Sequence, residues 1–235
     1  MQNDLFALYI TAASIGFFHT IFGPDHYLPF IVMSRVRSWS KAKTALVTFL
    51  CGLGHIFSSV VLGTVGVIMG IAVMKLEAFE SFRGNLAGWA FLGFGLAYFI
   101  WGLRQAIKNK PHTHLHAHMD WSKHAHKHTH SEEHAHIHGE KANITPWILF
   151  TIFVLGPCEP LIPILMYPAA KQSLEGLVGV TVIFGATTIL TMMGIVMVTS
   201  LGVNMLPLGR LERYAHALAG ATIFLCGVAI QFLGL

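Results

Sequence analysis

Long apolar stretches alternate with short polar ones along the whole chain, and six of them approach or exceed the roughly 20 residues that span a hydrocarbon core. They cover residues 5–33, 44–74, 86–103, 145–168, 176–205 and 215–235. None alternates residue by residue as a barrel strand does, and lipid admits only helices or closed barrels. The pattern therefore predicts an all-α integral membrane protein with six transmembrane helices. The first stretch follows Met1-Gln2-Asn3-Asp4, with neither a basic leader nor a small-residue cleavage site, and is expected to stay as a helix.

Composition agrees with the pattern. Of 235 residues, 54% are hydrophobic and 11% charged, against about 25% charged in a soluble domain. No basic face interleaved with aromatics exists to bind nucleic acid, and nucleic acid is excluded as a partner. Every basic residue reads as part of a connecting segment. Twelve (Arg35, Arg37, Lys41, Lys43, Arg104, Lys108, Lys110, Lys123, Lys127, Lys141, Arg210 and Arg213) fall on one side, while Lys75, Arg83 and Lys171 fall on the other. The positive-inside rule makes the richer side cytoplasmic, with both termini outside a cell inner or plasma membrane.

The second half repeats the first. At an offset of 133, Gly23-Pro24 aligns with Gly156-Pro157 and Val47-Thr48 with Val180-Thr181; at 132, Leu86-Ala87-Gly88 aligns with Leu218-Ala219-Gly220. Three spans per unit is an odd number, so the second unit enters from the opposite face. The expected organisation is two inverted three-helix repeats, residues 1–104 and 145–235, joined by a cytoplasmic loop over 105–144. In transporters built this way the substrate site lies at the repeat interface beside broken helices. The matching breaks are Gly23-Pro24 with Pro29 in the first helix and Gly156-Pro157 with Pro160 and Pro163 in the fourth.

Next to those breaks are two acids within the spans, Asp25 and Glu159, and an intramembrane carboxylate needs a partner. Close by are His19, His26 and Cys158, with His55 in the second helix. Carboxylate, imidazole and thiolate suit a divalent ion of the later first transition series, so all six are candidate ligands. On straight helices Asp25 and His26 lie about 10 to 12 Å from the cytoplasmic ends, His55 about 16 Å and Glu159 about 21 Å. Glu159 thus joins the others only where the broken segments bend inward. Cys51 and Cys226 read as buried hydrophobes, His216 as interfacial, and the ten Met as core rather than a copper path.

Eleven of the 15 histidines crowd the loop: His112, His114, His116, His118, His124, His126, His128, His130, His134, His136 and His138. Their alternation with small and polar residues cannot build a core, and the tract is expected to bind metals loosely and to be disordered without them.

His19 through His26, reading His-Thr-Ile-Phe-Gly-Pro-Asp-His, together with Leu53-Gly54-His55, resembles the signature of the nickel/cobalt transporter superfamily, which includes NiCoT permeases, NicO-type efflux proteins and UreH-like membrane proteins. The interval from His19 to Asp25 is one residue longer than is usual there. The resemblance implies metal binding by His19, Asp25, His26 and His55. It also implies secondary transport of a divalent ion, Ni2+ or Co2+ before Zn2+ or Fe2+, and the loop favours efflux. On that reading the protein is no enzyme and holds no prosthetic group. Its partners are the metal ion, the bilayer, and a second copy or a metallochaperone. No phosphate-binding GxxxxGK[ST] motif is present to power transport. One alternative is an accessory protein supplying nickel for metalloenzyme maturation. Another rests on Gly156-Pro157-Cys158-Glu159-Pro160, which resembles membrane thiol-disulfide transporters of the CcdA/DsbD type; the resemblance implies one cysteine from each inverted half, whereas in this sequence the mirror of Cys158 is Asp25.

Overall fold

A computed structural model describes residues 2–108, 112–117, 123–128, 145–156, 158, 160–171, 173–205 and 209–234. The first apolar stretch forms α1 (Gln2–Phe22), a 3-10 turn at Pro24–His26 and α2 (Leu28–Val36). Pro24 and Pro29 each sit in the first turn of the piece they open, where a missing N–H costs nothing, so the chain breaks after Phe22 and restarts twice. Two long helices follow, α3 (Lys41–Ile68), N-capped by the Ser40 hydroxyl, and α4 (Val73–Lys108). The fourth apolar stretch is broken as well, into α5 (Thr145–Leu155) and α6 (Leu161–Ala170), and α7 (Leu174–Met205) and α8 (Ala215–Val228) complete the helices.

Among the described residues, five helices are long and apolar enough to cross a bilayer: α1, α3, α4, α7 and the segment Glu212–Leu233 that contains α8. The fourth stretch, divided between α5 and α6, is not among them. Large apolar side chains such as Phe6, Ile68, Met74 and Leu190 point outward, as lipid-facing residues of a multi-pass membrane protein do. Inside, Phe30, Met33, Leu149, Phe153, Met192 and Ile223 form one core, and Ala12, Leu161, Val180 and Phe184 a second.

Two expectations need correction. The third helix starts at Val73, not near residue 86, so Glu80 and Arg83 lie within a membrane helix and are buried; the reading that no basic residue enters a span fails at Arg83. The loop, expected to be disordered without metal, contains an antiparallel pair, β1 (His112–Ala117) and β2 (Lys123–His128), registered His112 to His128, His114 to His126 and His116 to His124. Hairpin pairing at this spacing puts a histidine opposite a histidine at every second position. His118, His130, His134, His136 and His138 lie outside the described residues.

Candidate functional site

The first break turns His26 back towards α1. His26 N–H bonds to Gly23 O at 3.0 Å, Gly23 N–H to His19 O at 3.0 Å, and the short turn between them sets the His19 and His26 rings edge to face with centroids 4.8 Å apart. His55 arrives from the middle of α3, its ring 5.2 Å from that of His26 and perpendicular to it. One ring nitrogen of each histidine lies within 4.8 Å of the other two.

Which nitrogens converge follows from what the others touch. His26 Nδ1 lies 3.1 Å from Gly23 O and 3.2 Å from Asp25 Oδ1, and His55 Nδ1 lies 3.3 Å from Phe153 O. Oxygens that only accept place the proton on Nδ1 and leave the Nε2 lone pair free. Among the described residues, Nε2 of His19, His26 and His55 is buried and without a hydrogen-bond partner. Three buried, unsatisfied imidazole nitrogens on rings that crowd together are costly as core packing and suited to a metal ion.

The convergence sorts the six candidate ligands. His19 joins because α1 ends at Phe22 and the following turn brings the His26 ring back beside it. Asp25 orients His26 from behind. Cys158 is fully buried in the second core, its backbone amide bonded to Ser59 and Glu80, and it does not join the converging group. Glu159 lies outside the described residues.

The three histidines line a cavity of about 780 Å3 together with Ser81, Asn85 and Gln231 and with aromatic walls from Phe18, Phe91 and Phe153. Gln231 Nε2 donates to Asn85 Oδ1 at 2.8 Å across its rim, while Gln231 Oε1 is buried without a partner among the described residues. At the far end of the bundle, His216 Nδ1 meets the Tyr98 hydroxyl at 2.9 Å and its ring packs on Trp101. Arg37 stacks over both aromatics. His216 is thus anchored apart from the three converging histidines.

Sequence reasoning missed a second polar cluster. Glu80 and Arg83 form a buried ion pair one turn apart on α4, reaching Ser58 and Ser59 of α3 and the backbone at the break between α5 and α6. The signal was opposite charges three residues apart, a helix-face spacing, at the foot of an apolar run.

A helical membrane protein with two broken segments around a buried polar centre is the class that fold and site define. The profile of the cytochrome c biogenesis protein transmembrane region matches residues 28–229, and the chain belongs to that family. No curated protein and no solved structure matches. This corrects the resemblance to the nickel/cobalt transporter superfamily and with it the reading as a nickel or cobalt transporter. That resemblance rested on motifs in the first two segments, and the His19–His26 motif lies before the matched region. A Gly-Pro break beside polar groups is a general way to build a cavity in lipid, so it does not distinguish the families.

Proposed function

We propose that this protein serves cytochrome c biogenesis as a membrane-embedded carrier of reducing equivalents, in the thiol-disulfide manner. The observation that carries the reading is the family match from residue 28 to residue 229. The placement of Cys158 supports it: the thiol sits at the break of the fourth segment, between cavity-lining Gly156 and Pro160. Thiol chemistry across a membrane needs two cysteines that oxidise together, and Cys51 and Cys226 are the other two, both buried as free thiols. Alkylation of membrane fractions before and after oxidation tests this. Joint protection of Cys158 and one other cysteine is expected; independent reactivity of all three under every redox condition refutes the carrier.

A second reading is favoured by the three orphaned Nε2 atoms. We infer that His19, His26 and His55 hold one late transition-metal ion, of the zinc, copper, nickel or iron group that imidazole favours, with a fourth position open to the cavity. Metal analysis of purified protein lacking residues 112–138 tests it. One ion per chain is expected, falling towards zero in His26→Ala and His55→Ala, and unchanged content in both variants refutes the site.

Both readings fit two inverted three-helix repeats. Support comes from reciprocal packing between α4 and α8. A Cβ on Gly95 would strike the Phe224 backbone, and one on Gly227 the backbone of Leu92; a Cβ on Gly88 would meet Gln231, and one on Gly220 the backbone of Phe99. Each pair becomes the other when both partners are exchanged at the offset of 132. Such reciprocity is what a local two-fold between antiparallel helices would produce.

A further inference from the structure

We propose that Glu80 and Arg83 are positioning residues that latch the break of the fourth membrane segment closed over Cys158. The proposal rests on the carrier reading for its meaning but not for its test.

A broken helix at membrane depth leaves carbonyls at the end of one half and amides at the start of the other without partners, and lipid supplies none. Here one ion pair on a neighbouring helix serves both ends. Arg83 Nη2 donates to Val154 O at 2.8 Å and to Gly156 O at 3.3 Å, closing the carbonyl end of α5. Glu80 Oε2 accepts the Cys158 amide at 3.1 Å, just before α6. The charges also suit the half-helix dipoles, with the cation at a C-terminus and the carboxylate ahead of an N-terminus.

Two serines of α3 tie the pair in place. Ser59 Oγ donates to Glu80 Oε2 at 3.2 Å and accepts the Cys158 amide at 3.2 Å. Ser58 Oγ accepts Arg83 Nη2 at 2.6 Å and donates to His55 O at 2.8 Å. Glu80 is fully buried and both its carboxylate oxygens are engaged, Oε1 by Arg83 and Oε2 by Ser59 and the Cys158 amide. An ion pair placed at this depth and spent on backbone groups of a break holds a conformation rather than binding solvent. While the pair is made, Cys158 is sealed; when it opens, the two halves part and the thiol meets the cavity side.

The test is the rate of N-ethylmaleimide labelling at each cysteine, read by mass spectrometry on the full chain in detergent. Cys51 and Cys226 are buried elsewhere in the bundle and act as internal controls. Arg83→Ala is expected to raise Cys158 labelling about tenfold or more, since it removes several charge-assisted hydrogen bonds, with Cys51 and Cys226 unchanged. Glu80→Gln, which keeps shape and acceptor but not charge, should raise it less. A parallel rise at all three thiols shows general loosening and overturns the latch, as does no rise at Cys158. Should Arg83→Ala not insert, Arg83→Lys and Glu80→Gln decide by the same selectivity. Failure of the carrier reading would instead appear in the unsubstituted chain, as thiols that never become protected in pairs.

Discussion

At Asp25 what matters is which nitrogen of its neighbour the carboxylate meets. By accepting from His26 Nδ1 it fixes the tautomer that leaves Nε2 unprotonated, as the Phe153 carbonyl does for His55. Loss of such an orienting group costs about 10 to 100-fold in metal affinity. Asp25→Ala is therefore expected to weaken Zn2+ binding by about that factor, measured by calorimetry on protein lacking residues 112–138, while His26→Ala abolishes it. Equal affinity in Asp25→Ala and the parent would remove the carboxylate from the site. Gly23 is constrained by space rather than backbone angle, because a Cβ there would lie 2.5 Å from His26 Nδ1. Gly23→Ala should disturb the same binding without touching a ligand. Asp25 and His26 were legible in the sequence because a polar pair directly after a Gly-Pro break has few bland explanations, and His19 and His55 stood out as histidines within apolar stretches. The division into ligands and orienting group was not, because it depends on ring rotation that no spacing encodes.

Helices in lipid gain nothing from hydrophobic burial against one another, so close approach through small residues must hold them together. The seam between α4 and α8 is built this way, with Gly95 and Gly102 against the backbone of α8, and Gly220 and Gly227 against that of α4. Gly95→Leu and Gly227→Leu are each expected to destabilise the fold by about 1 to 3 kcal/mol or prevent insertion. Gly93→Ala, on the same helix with open space around it, serves as the neutral comparison. Thermal unfolding in detergent reads the difference, and equal melting of Gly95→Leu and Gly93→Ala would deny the seam. At this scale the two breaks were readable from proline and glycine, because those residues act locally. The start of α4 was not. Hydropathy treats Glu80 and Arg83 as two independent charges, whereas paired and hydrogen-bonded across the α5 to α6 break they are compatible with a membrane helix.

For the whole molecule, what local patterns leave open is which face meets the cytoplasm. Burial of Arg83 within α4 takes it out of the exposed flanking charges of the poorer side, which leaves Lys75, exposed in the first turn of α4, and Lys171 there. The cavity reaches Ser81, Asn85 and Gly234, near the start of α4 and the C-terminal end of the last helix, whereas Arg37, Tyr98, Trp101 and His216 cluster at the opposite end. If the basic-rich end is cytoplasmic, the cavity opens to the outside, where a membrane carrier would meet a partner to be reduced. Single-cysteine variants at Ser81 and Ser40, in a chain whose native cysteines are replaced, separate the two orientations. Both positions are exposed. A membrane-impermeant thiosulfonate added to intact cells should modify Ser81→Cys and spare Ser40→Cys, with the reverse result in inside-out vesicles. Labelling of Ser40→Cys from outside would invert the molecule and point the histidine cavity at the cytoplasm.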